Sequence, residues 1–227
     1  VLMLVFQNTI LSLVASVQIS SYDMIRIGDW IEMPSLNADG DVIDMSLHTI
    51  TVQNFDKTIT TIPTNKLVTD TFRNWRGMTQ SGVRRMKRAL YIDQSSVHFM
   101  TFEEHQRLKD FLLLNNYLNS KENELEEFNN KLSNQSEYNQ RRLTNLGTFR
   151  AYVNFYLRQH EGIAQDQTLI VRQLQPTSMG LPIEIYAFIS TTVWIDYENI
   201  QSDIFDHLIS ILPEFGLRIY QSASQID

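Results

Sequence analysis

The chain has 227 residues, and its 43% hydrophobic content suffices for one large domain or two to three small ones, each with its own core. A net charge of -7 argues against general nucleic-acid binding. The absence of cysteine excludes disulfides, thiolate zinc sites and cysteine nucleophiles, and it suits a reducing cytosol.

The first 22 residues carry no charge, which predicts a transmembrane helix because ~20 helical residues span the roughly 30 Å hydrocarbon layer of a bilayer. Polar side chains recur there at every fourth position, and we expect them to share one face that packs against other helices or lines a pore. They are Asn8, Ser12, Ser16 and Ser20. The alternatives are a buried helix of a soluble core and the core of a signal peptide. No basic region precedes the segment and no small-residue cleavage site follows it, which argues against a signal peptide.

Residues 28–86 have the pattern of a small β-barrel domain, Sm-like or SH3-like. A turn near residues 37–40 is followed by alternating apolar and polar residues and by many threonines, which predict antiparallel strands. Asp56 and Lys57 stand where a tight hairpin turn is expected, between strands at 49–55 and 58–63. Pro63 ends the second of these strands, because proline cannot donate a hydrogen bond to a ladder.

Residues 87–227 predict an α/β domain. We expect a strand at 88–93, a helix from the capping box at Thr101 to about Tyr117, and a helix at 149–160. Strands at 168–174 and 183–193, a helix at 200–212 and a strand at 217–221 complete the ferredoxin-like order. Residues 119–145 are the least hydrophobic part of the chain, and they predict an insertion that is either a poorly packed helical segment or mobile.

Two segments within residues 1–93 resemble the small-conductance mechanosensitive channel (MscS-like) family. They are Met24-Ile25-Arg26-Ile27-Gly28-Asp29-Trp30-Ile31, and the stretch from Gly40-Asp41-Val42 to Ile62-Pro63-Thr64-Asn65-Lys66-Leu67. The long polar insertion, Trp75, Arg76 and the basic cluster from Arg84 to Arg88 are similar to the miniconductance subgroup. Because the chain begins at Val1, we expect it to be part of a longer protein with further membrane spans upstream.

The resemblance implies a membrane protein fragment of the α+β class, in which residues 1–27 form a pore-lining transmembrane helix and its extension. A homo-heptamer would open under membrane tension, with small conductance, and release solutes on hypoosmotic shock. Its partners would be membrane lipid and, as permeants, ions and small solutes, without a cofactor or nucleic acid. The expected location is the bacterial inner membrane, with the residues after about 28 in the cytoplasm.

The resemblance also assigns roles to individual residues. Leu4 matches one position of a leucine ring that seals the closed pore by dewetting. Asn8 and Ser16 replace glycines that bend the helix in many relatives, and Ser12 lies with them on the expected pore face. Gating would be coupled to the β-domain through residues of the link and of the following strand. These are Arg26, Gly28, Asp29 and Val42.

A run of basic residues without an acidic one lies between residues 72 and 88. Its members are Arg73, Arg76, Arg84, Arg85, Lys87 and Arg88. One interpretation is a solvated strand edge that resists edge-to-edge pairing. Another is a positive ring around a vestibule opening, which concentrates anions within a Debye length of ~8 Å. Contact with anionic lipid is a third, but about 50 residues separate the run from the membrane helix, which favours the vestibule.

The sequence offers no basis for catalysis. None of the five histidines has a partner at metal-ligand spacing, and no phosphate loop, nucleophile elbow or H-E-x-x-H motif occurs. Glu103 and Glu104 are interpreted as the acidic first turn of a helix. The competing functions are an Sm-like RNA-binding ring, which would not need the uncharged residues 1–22, and a membrane-anchored scaffold, which only a conductance measurement distinguishes from a channel.

Overall fold

The structure, a computed structural model, describes residues 2–133 and 136–222, and it describes the side chains of the first helix from residue 9 onwards. The chain divides into two compact units, Val1–Ser81 and Gly82–Asp227. The first helix therefore belongs to the same unit as the sheet that follows it. The second unit begins earlier than the predicted boundary at residue 87, because its first strand already starts at Arg84.

The N-terminal unit combines three helices with a five-stranded antiparallel sheet. Its elements are α1 (Leu2–Ser21), β1 (Trp30–Met33), β2 (Ala38–Met45), β3 (Thr49–Asn54), β4 (Ile59–Pro63), α2 (Thr64–Thr69), β5 (Arg73–Asn74) and α3 (Arg76–Ser81). The strand order is β4-β3-β2-β1-β5. In the described residues the outer strands β4 and β5 are not paired with each other, so the predicted barrel is an incompletely closed sheet.

Alternation of buried and exposed residues along β2 and β3 places one face of the sheet in the core of the N-terminal unit. That core includes Val42, which pairs with Val52 across the two strands. The predicted hairpin turn is confirmed. Lys57 has a φ of 72°, and the Asp56 carboxylate accepts a 2.9 Å hydrogen bond from the backbone N–H of Thr58.

No helix within the described residues combines the length and the apolar character needed to cross a membrane. The transmembrane span expected at residues 1–27 thus remains a prediction.

In its described residues, the C-terminal unit combines four α-helices with a three-stranded antiparallel sheet. Its elements are β6 (Arg84–Ile92), α4 (Phe102–Lys109), α5 (Asn115–Asn130), α6 (Asn145–Gln159), β7 (Ile170–Gln173), β8 (Leu181–Ile189) and α7 (Trp194–Ile211). The antiparallel sheet has the order β6-β8-β7. The strand predicted at 217–221 is reduced to a bridge between Ile92 and Ile219, so the ferredoxin-like order holds with an incomplete fourth strand.

A helix extends into the predicted insertion. The helix expected to run to about Tyr117 ends at Lys109, and α5 begins at Asn115 and extends into the predicted insertion. The capping box at Thr101 is confirmed by reciprocal hydrogen bonds with Glu104. One face of α5 is anchored, because Leu118 is fully buried in the core of the C-terminal unit. Leu118 precedes the predicted insertion, and no residue from 119 to 130 is buried.

Leu118 should carry much of the attachment of α5. We expect Leu118→Ala to lower the free energy of unfolding of the C-terminal unit by about 3 kcal/mol, because a fully buried leucine leaves a cavity when it is truncated. Leu112→Ala is the matched control, since Leu112 is 94% exposed and its loss should cost less than about 0.5 kcal/mol. Urea unfolding followed by helical circular dichroism measures both values. Equal effects of the two variants would show that α5 is not packed in solution.

Candidate functional site in the link between the first helix and the sheet

The second half of α1 packs against other elements of the N-terminal unit. Ser12, Ala15 and Ile19 are buried at helical spacing on one face of α1. The hydroxyl of Thr64, the first residue of α2, donates to the backbone oxygens of Ser12 at 3.3 Å and Leu47 at 3.2 Å. Thr64 therefore ties the helix to the loop between β2 and β3. Sequence reasoning missed Thr64 because its partner lies 52 positions away.

A short link, residues 22–29, connects α1 to β1. Two residues of this link have backbone conformations in the left-handed region. Asp23 has a φ of 51° and Gly28 a φ of 89°. Space is open around Gly28, so its backbone conformation and not crowding favours glycine there. The Gly28 N–H donates to the Val42 carbonyl at 2.8 Å, and the Val42 N–H donates to the Asp29 carbonyl at 2.9 Å. This exchange attaches the end of the link to β2.

The carboxylate of Asp29 is the centre of the site and is only 8% exposed. It accepts hydrogen bonds from the Arg26 backbone N–H at 2.8 Å and from the Asn74 amide at 2.9 Å. The Arg76 guanidinium donates to it through Nε at 3.0 Å and through Nη2 at 2.5 Å. Burial opposes ionisation of Asp29, but these hydrogen bonds outweigh it and hold the pKa of the carboxyl below its ordinary value.

Two further contacts extend this set of residues to the end of α1. Arg76 Nη1 donates to the backbone oxygen and to the carboxylate of Asp23, each at 3.1 Å. The exposed Arg26 side chain donates to the same carboxylate, and this hydrogen bond lowers the pKa of Asp23. Asn74 also donates to the Met24 carbonyl at 3.0 Å. We call the set Asp23, Arg26, Asp29, Asn74 and Arg76 the link clamp.

The clamp lies beside an aromatic stack that joins β1 to the residue before α3. The rings of Trp30 and Trp75 stack with centroids 4.6 Å apart, and Phe55 meets Trp30 edge-on at 5.2 Å. The Arg73 guanidinium lies 5.5 Å from the Trp75 ring and pairs with Glu32 at 2.5 Å. Rigid aromatic packing on one side of the clamp keeps Arg76 directed at Asp29.

The predicted polar stripe on α1 does not keep to one face. Ser12 is buried against the chain's own unit, Ser16 is partly exposed and Ser20 is exposed. A four-residue spacing drifts by about 40° at each step because a helix turns by about 100° per residue. The side chains of Leu4 and Asn8 lie outside the described residues. Their predicted roles at the pore stay predictions.

The basic run is divided between the two units. Arg73 and Arg76 belong to the N-terminal unit and pair with carboxylates there, as described above. Arg84, Arg85, Lys87 and Arg88 lie on β6 in the C-terminal unit. The guanidinium of Arg88 lies 4.3 Å from the Phe205 ring, that of Arg84 4.6 Å from Tyr197, and Lys87 pairs with Glu184 at 3.8 Å.

The link clamp holds the predicted coupling residues Arg26 and Asp29, and the backbone exchange beside it joins Gly28 and Asp29 to Val42. Asn74 was not foreseen, and Arg76 was assigned to the vestibule, since only the pairing of β5 with β1 brings them to Asp29. Within residues 2–133 and 136–222, no group of three His, Asp or Glu side chains could hold a metal ion.

Comparison with known proteins identifies the family. The family described as "Mechanosensitive ion channel, beta-domain" matches residues 8–77, which include the whole link clamp. The family described as "Mechanosensitive ion channel MscS, C-terminal" matches residues 149–219. The chain belongs to the MscS family of mechanosensitive ion channels. The residues between these two matches, including the insertion, are matched by neither family description.

Individual relatives of this MscS-family chain are distant. It is 22% identical over 190 residues to the low conductance mechanosensitive channel YnaI of Escherichia coli, and the match covers 84% of the chain but 41% of YnaI. The cryo-EM structure of Arabidopsis thaliana MSL1 is similar with a TM-score of 0.65 at 10% identity, covering 96% of this chain and 61% of that one. The closed-state crystal structure of Helicobacter pylori MscS has a TM-score of 0.59 at 13% identity, covering 100% and 68%. The chain spans less than half the length of YnaI.

The buried pair of Asp29 and Arg76 should dominate the stability of the N-terminal unit. We expect Asp29→Asn to lower its free energy of unfolding by about 3 kcal/mol, because Arg76 loses its buried partner. Urea unfolding in a Trp194→Phe background measures this, since Trp30 and Trp75 then report on the N-terminal unit alone. Asp41→Asn, at an exposed position of β2, is the control and should leave the midpoint nearly unchanged.

The pH dependence of the free energy of unfolding provides a second test of this prediction. The pKa of Asp29 is lowered by folding, so its stabilisation is complete above the ordinary value of 3.8 and is lost as the pH falls through the folded-state pKa. In Asp29→Asn, the free energy of unfolding should therefore decrease less steeply at acidic pH. A profile as steep as that of the unmodified chain would contradict the ionised clamp.

Proposed function

We propose that the chain is the pore-side helix and the cytoplasmic part of an ion channel that opens under membrane tension. The observation that carries this proposal is the link clamp, because a movement of α1 must either move the sheet with it or break the buried contacts of Asp29. Tension needs only two states of different in-plane area, so no chemical ligand is required. Family membership favours this function over an RNA-binding ring or a scaffold.

An exposed apolar face of α1 supports the proposal that this helix lies among other helices. Ile10, Leu13, Val14 and Val17 are between 45% and 58% exposed on the single chain. A contiguous apolar face of this kind is typical of a surface that is covered in the assembled state. We propose that copies of the chain, arranged as a homo-heptamer, and membrane lipid cover it.

We propose Leu4 as the hydrophobic seal, with Asn8 and Ser16 at the two bends of the pore helix. Ser12 supports the packing of α1 on Thr64 instead. The basic residues of β6 would enrich anions at an opening of the vestibule, whereas Arg76 acts in the clamp. The proposed setting is a bacterial inner membrane with the residues after about 28 in the cytoplasm. A small conductance, as the name of YnaI states for that relative, would release ions and small solutes on hypoosmotic shock.

Reconstitution decides the central proposal. The full-length protein in pure lipid, with suction applied to a patch, should give tension-evoked currents that an empty bilayer does not give. The matched pair of variants is Asp29→Asn, which should alter the opening tension, and Asp41→Asn, which should not. Absence of any current at tensions where a known relative opens would refute the channel and favour the scaffold.

Val42 offers a milder test of coupling. Trimming the buried Val42 to alanine should cost ~1 to 2 kcal/mol of packing beneath the attachment of the link. We expect Val42→Ala to change the opening tension while the oligomer elutes normally in gel filtration. Ile43→Ala, at the neighbouring exposed residue, controls for loss of hydrophobic volume. Loss of the oligomer in Val42→Ala alone would assign Val42 to folding and not to gating.

A further inference from the structure

The sheet of the C-terminal unit presents two different faces, because successive residues of a strand point to opposite sides. Alternate residues of β8 are fully buried in the core to which α6 and α7 also contribute, namely Ile183, Ile185, Ala187 and Ile189. The side chains between them, and their cross-strand neighbours on β6 and β7, lie outside that core. We call this second side of the sheet the open face and define it by Arg85, Lys87, Ile170, Arg172, Tyr186 and Phe188.

The open face carries aromatic and apolar side chains. The rings of Tyr186 and Phe188 meet edge-on with centroids 5.7 Å apart, and the Arg85 guanidinium lies 6.0 Å from the Tyr186 ring. Ile170 stands opposite Tyr186 across the two strands and is 41% exposed. The outward residues of a half-covered antiparallel sheet are normally polar. Aromatic and apolar residues at these positions therefore indicate a face that another surface covers in the assembled protein.

The charge of the open face is positive. Arg172 and Lys87 approach the Glu184 carboxylate from the two neighbouring strands, at 2.6 Å and 3.8 Å. Glu184 is only 6% exposed, so the bases above it, and not the carboxylate, meet the surroundings. Arg85 adds a third, exposed base to the same face. A partner with acidic side chains is therefore favoured over a basic one.

The outer side of α7 has the complementary composition. This helix contains no lysine and no arginine. Asp196, Asp203 and Asp206 are exposed on it, together with Ile195 at 73% and Ile209 at 45%. Residues spaced by three or four positions lie on one side of a helix, so these side chains occupy one continuous surface. The surface is acidic and apolar, whereas the open face is basic and aromatic.

The dimensions of the two surfaces also match. From Arg85 to Tyr91 the open face extends ~20 Å along β6, and its outer strands lie ~10 Å apart. From Ile195 to Ile209 the outer side of α7 extends ~21 Å, and a helix with its side chains is ~10 Å wide. The open face thus accommodates one helix. Two open faces would place bases against bases, so a contact between copies must join different surfaces.

We propose that the open face is the docking surface for a second copy of this chain, whose α7 lies across Tyr186 and Phe188 with its aspartates beside Arg85 and Lys87. The proposal rests on the oligomer proposed above and names the two surfaces that join its C-terminal units. Each copy offers one open face and one α7, so the contact is head-to-tail and repeats from copy to copy. Such a contact produces a ring when the rotation between copies closes.

Cysteine cross-linking of the full-length protein in its membrane tests the docking surface, since the 227 residues contain no cysteine. Ala89→Cys lies on the open face and Ser202→Cys on the outer side of α7. With a short bismaleimide, a chain that carries both should give a ladder of covalent oligomers, and each single variant only monomers. Ala89→Cys with Ser120→Cys, at an exposed position of α5, is the control and should give no ladder. A dimer from a single variant, above the background of the unmodified protein, would overturn the proposal.

Exchange of charges tests the chemistry of the contact. In the chain with cysteines at positions 89 and 202, Arg85→Glu should slow the formation of the ladder about fivefold, and Asp206→Lys should do the same, because each brings like charges together. Both reversals in one chain should restore the original rate. Lys131→Glu, at a side chain that is 71% exposed, is the control and should leave the rate unchanged. A double reversal that is slower than either single one would contradict the pairing of these surfaces.

The mass of the detergent-solubilised full-length protein, measured by light scattering, separates this proposal from the proposed function. We expect an oligomer of the unmodified protein together with the ladder of the double-cysteine chain. An oligomer without a ladder would overturn the docking surface and leave the oligomer standing. A single copy would overturn both. The tension-evoked currents described above report on the channel independently of either result.

Discussion

A buried carboxylate determines how the first helix is joined to the sheet. Asp29 can stay ionised out of water only if donors surround it, and they come from the link, from β5 and from α3. Removing Arg76 would leave the charge of Asp29 unpaired at a position that is only 8% exposed. The link therefore has one favourable arrangement, and the position of α1 relative to its own sheet follows from it.

The clamp and the backbone exchange act at the two ends of the same link. Arg76 reaches Asp23 directly after α1, whereas Gly28 and Asp29 exchange hydrogen bonds with Val42 in the core strand. A displacement of α1 would therefore strain the buried ion pair of Asp29 and Arg76 and, at the same time, the backbone hydrogen bonds between the link and β2. Coupling of this kind, through contacts with discrete arrangements, is what a two-state gate requires.

The C-terminal unit places its ionisable groups differently. In the N-terminal unit the buried carboxylate of Asp29 is paired with Arg76, while in the C-terminal unit the half-buried His207 contacts the phenol oxygen of Tyr152. A paired carboxylate resists changes of pH near neutrality because its lowered pKa lies far below that range.

Local rules within the sequence determined the hairpin at Asp56 and Lys57 and the capping box at Thr101, because each depends on neighbours a few residues apart. The coupling roles of the link residues came from the family resemblance and stay a prediction, and local rules could not supply the partners of these residues. Asn74 and Arg76 reach Asp29 from more than 40 positions away, and His207 reaches Tyr152 from 55. Only the pairing of strands and the packing of helices decide such contacts, because they depend on which surfaces the folded chain buries together.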